Sequence, residues 1–159
     1  MIRAATEQDV PAILAMIHEL AEYEHLTHAC VATEDLLRQN LFGTGGADRA
    51  AEVLVAEIDG QVVGYALWFK TFSTFLARPG IFLEDLYVKP AFRKRGLGKA
   101  MLLELVRIAA ERRYGRIEWS VLDWNAPSIA FYKSLGAVPL DDWTMMRLNG
   151  EALARLGTR

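Results

Sequence analysis

The sequence lacks most of the features that mark special classes of protein. Its 159 residues contain one cysteine, so no intramolecular disulfide can form, and this fits a reducing compartment. No apolar run reaches the roughly 18 residues that a membrane helix needs, and the N-terminus lacks the basic-then-apolar order of a signal peptide. We therefore predict a cytoplasmic protein that has no membrane partner.

A charge excess of one sign is also missing. The 18 Lys and Arg residues face 20 Asp and Glu residues, a net charge of −2 that argues against a nucleic-acid partner. Hydrophobic residues make up 52% of the chain and charged residues 24%, which excludes a disordered tail or a low-complexity linker. At roughly 100–200 residues per domain, residues 1–159 are predicted to form a single domain.

Hydrophobic spacing predicts an alternation of strands and helices. Strands are predicted at residues 2–4, 53–58, 62–68, 81–88, 117–122 and 145–148. Helices are predicted at residues 7–23, 98–113, 127–135 and 151–156, with a further short helix that begins after Thr33. Asp59-Gly60 between two strands is a hairpin signal. The order indicates an α/β (α+β) fold, a mixed sheet with helices packed on it.

A basic, glycine-containing loop joins a buried strand to the longest predicted helix. Four cations precede or begin this helix, where the backbone N–H groups and the helix dipole already favour an anion: Arg93, Lys94, Arg95 and Lys99. Gly96 and Gly98 allow close approach of a ligand. The spacing fits neither the Walker pattern nor the dinucleotide pattern. The alternative is an ordinary basic loop that caps a helix.

A second motif runs through residues 124–137. Asn125 and Pro127 begin a predicted helix that carries Phe131 and Tyr132, and Gly136 ends it. We assign Phe131 to the core; for Tyr132 a core position is the alternative to a functional one. Together with Arg93-x-x-Gly96-x-Gly98, this segment resembles the GNAT family of N-acetyltransferases, although Ala137 stands where many members carry Phe.

The resemblance covers nearly the whole chain and is greatest to the diamine (spermidine/spermine) N-acetyltransferase branch. It implies a mixed, mostly antiparallel central sheet with helices on both faces, a bulged strand near residues 86–88, acetyl-CoA as co-substrate, and a homodimer. The residues that it assigns to acetyl-CoA binding are Leu86, Tyr87, Val88, Arg93, Lys94, Arg95, Gly96, Leu97, Gly98, Lys99, Asn125, Ser128 and Tyr132.

Acyl transfer to an alkyl amine requires removal of a proton, since an amine of pKa near 10.4 is about one part in a thousand neutral at pH 7. Glu84, an acid within an apolar strand, is the candidate catalytic base. Regular strand alternation would point Glu84 and Asp85 to opposite faces. The resemblance assigns the base role to Glu84, a substrate contact to Asp85, and the catalytic acid beside the CoA sulfur to Tyr132. A structural ion pair with a buried Arg is the alternative for Glu84.

Acidic and aromatic residues collect where the resemblance places the amine acceptor. The predicted substrate-binding residues are Tyr23, Glu24, Glu84, Asp85, Asp142 and Trp143, with Trp68 as a further aromatic wall. A solvated helix end and a surface turn are the alternatives for Glu24 and Asp142.

The predicted substrate is a small di- or polyamine or a lysine-like amine, attacked directly in a ternary complex. The competing hypotheses are a peptide or protein amine acetyltransferase and a non-catalytic acyl-CoA-binding regulator. The run His25-x-x-His28-x-Cys30 lacks a fourth ligand, so we predict no metal.

Overall fold

A five-stranded sheet organises the first 120 residues. In the computed structural model, which describes residues 1–158, its strands follow one another in chain order: β1 (Ile2–Ala4), β2 (Glu52–Ile58), β3 (Gln61–Ser73), β4 (Arg78–Val88) and β5 (Ile117–Trp119). Neighbouring strands are antiparallel except β4 and β5, which are parallel. Asp59 and Gly60 both adopt positive φ in the tight β2–β3 turn, as the hairpin signal predicts.

Three helices accompany this sheet: α1 (Val10–Tyr23), α2 (Glu34–Phe42) and α3 (Leu97–Glu111). One face of the sheet packs against α1 and α2 through a buried cluster: Ile13, Met16, Leu41, Val53, Val55, Tyr65 and Tyr87. Gly64, the neighbour of Tyr65, faces the other way, and a methyl group added there would lie 3.3 Å from Met101 of α3. The prediction of a mixed, mostly antiparallel sheet with helices on both faces is confirmed.

The start of α1 is fixed by a buried carboxylate. A short 3-10 turn at Glu7–Asp9 precedes the helix, and the Thr6 backbone N–H donates to Asp9 Oδ2 at 2.7 Å. Both terminal nitrogens of Arg3 donate to the same carboxylate at 2.8 and 2.9 Å, and Arg3 Nε donates to Glu57. Arg3 thereby ties β1 and β2 to the helix, which orients α1 across the sheet.

The pairing of β3 with β4 is interrupted by a β-bulge. Leu67 lies opposite Asp85 and Trp68 opposite Leu83, so Glu84 is an extra residue in β4. The resemblance implied a bulge around residues 86–88, but there the register is regular, and the break lies at Glu84. Pairing of β4 with β5 ends at Leu83, so among the described strands only β3 pairs with residues 85–88.

The chain from Val121 onward forms a second compact unit. It contains α4 (Ala126–Ser134), which Gly136 follows at φ +91°, and α5 (Gly150–Gly157). The strand predicted at 117–122 ends at Trp119. The prediction of a strand at 145–148 is wrong, because these residues form neither strand nor helix. In the described part of the chain, residues 145–148 have no neighbouring strand to pair with, and an apolar segment forms a strand only where such a partner is present. The side chains of Met145 and Met146 are exposed. No helix within residues 1–158 is long and apolar enough to span a bilayer.

Candidate active site

A buried tyrosine of β3 holds a half-buried carboxylate of β4. Tyr65, on β3, is fully buried, and its hydroxyl donates to Asp85 Oδ2 at 3.0 Å. A buried phenol needs such a partner, because an unpaired buried hydroxyl costs about 1–3 kcal/mol. The pair therefore fixes the Asp85 carboxylate on the α1 face of the sheet.

The surroundings of Asp85 favour its protonated form. Burial raises the pKa of Asp85 to about 6, and the nearby charges of Glu84 and Glu24 add to the rise, while the Tyr65 hydrogen bond opposes it. Burial also raises the pKa of Glu24. Both acids are thus partly desolvated, and the charge of Glu24 acts on Asp85. A cationic ligand bound beside them would stabilise the ionised form of both carboxyl groups.

Glu84 has a different environment from its neighbour. It is exposed, and the bulge removes it from the regular register. Phe82 and Asp85 lie opposite Phe69 and Leu67, which are on one face of β3, so strict alternation is broken between residues 82 and 85. Among residues 1–158, no ion pair involves Glu84, so the structural ion pair considered as the alternative is not found.

The end of α1 is tied to the end of β4. The Tyr87 hydroxyl donates to Glu19 Oε2 at 2.8 Å, and Lys89 Nζ lies 3.9 Å from Glu19 Oε1. Burial and the Glu19 carboxylate raise the pKa of Tyr87 to about 12, so its hydroxyl stays protonated at neutral pH. This anchoring places the last turn of α1, with Tyr23 and then Glu24, beside the region of Asp85.

The predicted phosphate loop follows β4 and has an unusual backbone. Lys94 and Gly96 both adopt positive φ, at 60° and 78°, and the first backbone hydrogen bond of α3 runs from Ala100 N to Gly96 O. The amides of residues 97–99 thus precede the helix's own bonding, which is the arrangement that binds anions at helix N-termini. The Lys94, Arg95 and Lys99 side chains are exposed around them. The loop fits a pyrophosphate-bearing co-substrate such as an acyl-CoA.

Other predicted cofactor residues of this unit have structural partners. Leu86 and Val88 lie half-buried in β4 opposite Ala66 and Gly64. Arg93 Nε donates to the Val88 carbonyl at 2.8 Å, so the Arg93 side chain turns back onto the strand. Gly98 and the half-buried Leu97 belong to the first turn of α3, and a methyl group added at Gly98 would meet no atom within 4 Å.

The remaining predicted residues lie in the second unit. Asn125 is buried there, and its Oδ1 accepts from the Ser128 N–H at 3.4 Å at the start of α4. The half-buried Tyr132 packs against Phe131, with ring centroids 5.3 Å apart. Asp142 and Trp143 are exposed in a turn that follows.

Sequence reasoning missed two residues and misplaced one. Tyr65 and Glu19 hold Asp85 and Tyr87, but in the sequence they are an ordinary strand residue and an ordinary helix residue. The only available signal was that a tyrosine in a buried strand needs a partner for its hydroxyl. Trp68, predicted as an acceptor wall, is instead fully buried beneath Arg112, whose guanidinium lies 5.0 Å from its ring centroid.

The architecture matches that of solved structures of low sequence identity. An integron cassette protein from the V. cholerae mobile metagenome aligns with a TM-score of 0.82 at 22% identity and covers 100% of this chain and 98% of its own. Residues 14–137 match the model of the acetyltransferase (GNAT) family. The chain belongs to this family of N-acetyltransferase enzymes, which use acyl-CoA as co-substrate.

Three relatives bear on the branch. The thialysine N-epsilon-acetyltransferase of Bos taurus is 38% identical over 98% of this chain and 96% of its own. L-ornithine N5-acetyltransferase of Arabidopsis thaliana is 32% identical over 96% of this chain and 85% of its own. A human spermidine/spermine N(1)-acetyltransferase-like protein is 34% identical over 96% of this chain and 23% of its own. The predicted resemblance to the diamine acetyltransferase branch is confirmed.

Proposed function

We propose that the protein transfers an acetyl group from acetyl-CoA to a primary amine of a small di- or polyamine or a lysine-like molecule. The observation that carries this proposal is a cluster of three carboxylates at the bulge of β4. Its members are Glu84, Asp85 and the nearby Glu24. Three carboxylates on a partly desolvated surface attract a cation and gain stability when one binds. The names of the relatives support this class, since ornithine, thialysine and spermidine are all alkyl amines.

The co-substrate side rests on the loop before α3. The backbone N–H groups at the start of α3 and the cations of Lys94, Arg95 and Lys99 hold the pyrophosphate. The stretch 84–88, which β5 leaves unpaired, offers N–H donors for the thioester carbonyl. When bound, acetyl-CoA supplies the activated acyl group. In the second unit, Asn125, Ser128 and Tyr132 are proposed to contact the CoA arm on the strength of the family motif.

The amine must lose a proton before it attacks. Asp85, held by Tyr65, binds the ammonium form or a second ammonium group of the substrate. Glu84, exposed at the bulge, accepts the proton directly or through water. Tyr132 donates a proton to the departing thiolate, whose reference pKa is about 8.5. Tyr23, Asp142 and Trp143 are proposed as further acceptor contacts.

A steady-state assay of CoA release tests the proposal. The panel contains ornithine, lysine, thialysine, putrescine, spermidine and a lysine-containing peptide, each with acetyl-CoA. We expect turnover with at least one small amine and a kcat about 100-fold lower for Tyr132→Phe, with acetyl-CoA affinity unchanged. Turnover of the peptide alone would replace the proposal with a protein acetyltransferase. Tight acetyl-CoA binding without turnover of any amine would indicate a non-catalytic regulator.

The homodimer implied by the resemblance is proposed as the working state. Light scattering of the purified protein measures the mass directly. A monomeric mass at assay concentration would contradict this part of the proposal.

A further inference from the structure

A cavity of about 300 Å³ lies beside β3, near the C-terminal end of α3. Strand β2 begins at Glu52, which pairs with Trp68, so β3 continues past this point without β2 beside it. The cavity adjoins this unpaired edge, and its volume is at the lower end of the roughly 300–1,000 Å³ range of small-molecule sites. The side chains that give it charge and aromatic surface are Arg49, Glu52, Phe69, Lys70, Arg112 and Tyr114.

The acid in the lining is already neutralised. The Nη1 and Nη2 groups of Arg112 donate to the two carboxylate oxygens of Glu52 at 2.6 and 2.9 Å. The ring of Trp68 lies 5.0 Å from the same guanidinium, so this pair is held in a fixed position. The positive charge that remains in the lining therefore comes from Arg49 and Lys70.

Arg49 and Lys70 have no carboxylate to balance them. Neither forms an ion pair with any group in residues 1–158. Arg49 Nε donates to the Leu41 carbonyl at 2.7 Å, and its guanidinium lies 5.8 Å from the ring centroid of Phe42. Arg49 is thus oriented by uncharged groups, while the exposed Lys70 extends from the unpaired part of β3. Two cations in one small cavity favour an anionic ligand.

The adjacent end of α3 offers little opposition to an anion. The last carbonyls of a helix carry its negative partial charge, but here the backbone N–H groups of residues 112–114 donate to the carbonyls of residues 108–110 at 2.8 to 3.1 Å. The phosphate loop lies at the other end of the same helix. Helix α3 has 15 residues, which at about 1.5 Å per residue gives a length of roughly 22 Å. A ligand in the cavity and CoA on the loop can therefore be bound at the same time.

We propose that this cavity is a second anion-binding site, separate from the phosphate loop, and that it takes a small phosphate monoester. Arg49 and Lys70 bind the phosphate group, and the ester group lies against Phe69 and Tyr114. A phosphate monoester carries almost two negative charges on one group at neutral pH, which matches two unbalanced cations better than the single charge of a carboxylate does. The same cations repel an amine substrate. This site goes beyond the proposed function and does not depend on it.

An NMR titration of the full-length protein with phenyl phosphate tests the proposal. Saturating CoA keeps the phosphate loop occupied, no amine is present, and the ionic strength is held constant so that screening does not change. We expect saturable binding, with amide shifts in residues 49–52, 69–70 and 112–114. Shifts confined to residues 93–99, or no saturation up to about 10 mM ligand, would overturn the proposal.

Four variants separate this site from a general attraction of anions to cationic side chains. Lys70→Met and Arg49→Met should each raise the Kd of phenyl phosphate about tenfold, because each removes a charge-assisted hydrogen bond. Lys70→Arg keeps the charge, and Arg107→Met removes one from an exposed arginine paired with two glutamates; both should stay within about twofold of wild type. Equal weakening by Arg107→Met and Lys70→Met would show that net charge alone is responsible and would contradict the site.

The ester group provides a further comparison. Inorganic phosphate should bind at least about threefold more weakly than phenyl phosphate, because it makes no contact with the two rings. Equal affinity would exclude a monoester site. Thermal unfolding of each variant checks that the fold is intact. Should the wild type fail to bind CoA, the proposed function fails, yet the location of the amide shifts and the four variants still decide whether the cavity binds phosphate.

Discussion

Replacing Asp85 by Asn should make the protein more stable at neutral pH while impairing its use of amines. The carboxylate lies in a partly desolvated region beside Glu84 and Glu24, and its pKa is raised from 3.8 to about 6. Ionised Asp85 therefore destabilises the folded protein at neutral pH, and under the proposed function its charge serves to bind the cationic amine. Asn keeps an oxygen that can accept from the Tyr65 hydroxyl, at present 3.0 Å from Asp85 Oδ2, but carries no charge.

The size of the effect follows from linkage. At about 1.4 kcal/mol per pKa unit, ionising Asp85 costs about 3 kcal/mol more in the folded protein than in the unfolded chain. Because the folded-state pKa is the higher one, the folded state binds the proton more tightly. The cost is absent below pH 3.8, grows as pH rises, and is fully present above pH 6. Asp85→Asn should thus raise Tm by roughly 5–10 °C at pH 8 and by little at pH 4.

Urea unfolding of wild type and Asp85→Asn between pH 4 and pH 8 checks this reasoning. The difference between the two proteins isolates Asp85 and its coupling to Glu24 and Glu84, since the other carboxylates titrate alike in both. Tyr65→Phe provides a second test: loss of the hydrogen bond that favours the ionised form should move the Asp85 transition above pH 6. A stability difference that does not depend on pH, or an Asp85→Asn protein that is less stable at pH 8, would refute the argument.

Two further predictions concern the frame of the fold. Asp9 has the opposite shift, because Arg3 lowers its pKa to about 2; the stability it contributes is present above pH 3.8 and is lost as pH falls toward 2. Asp9→Asn should cost about 2 kcal/mol at pH 7, and denaturant titrations should show this cost shrinking below pH 4. Gly64→Ala should cost about 1–3 kcal/mol, because the added methyl would lie 2.8 Å from the Tyr87 carbonyl oxygen. Gly98→Ala, whose added methyl would meet no atom within 4 Å, should unfold like wild type. Equal Tm values for wild type, Gly64→Ala and Gly98→Ala would contradict this prediction and show that β3 and β4 move apart without cost.

Local sequence patterns predicted most elements of the first unit. The Asp59-Gly60 hairpin and the apolar spacing of α3 each act within a few residues, so their geometry follows from local chemistry. The strand predicted at 145–148 failed for the opposite reason, since a strand is defined by the partner to which it pairs. Pairing joins residues that are distant in sequence, and no local pattern specifies it.

The candidate site shows the same division. The sequence placed Glu84 and Asp85 in one strand and the cations of the loop at a helix start, because both features lie within short segments. It could not show that Glu84 is an extra residue in the pairing, since a bulge is a mismatch between two strands. It also could not show which residue holds Asp85, because Tyr65 lies 20 residues away in the chain.

By itself, the sequence determined a charge-balanced α/β chain with a basic anion-binding loop and acids in a buried strand. Only the tertiary structure decided what those charges do. Burial raised the pKa of Asp85, the register break made the exposed Glu84 an extra residue of β4, and two rings from different elements lie against Arg93. Each of these depends on desolvation or on contacts between distant residues, and both arise only when the chain has folded.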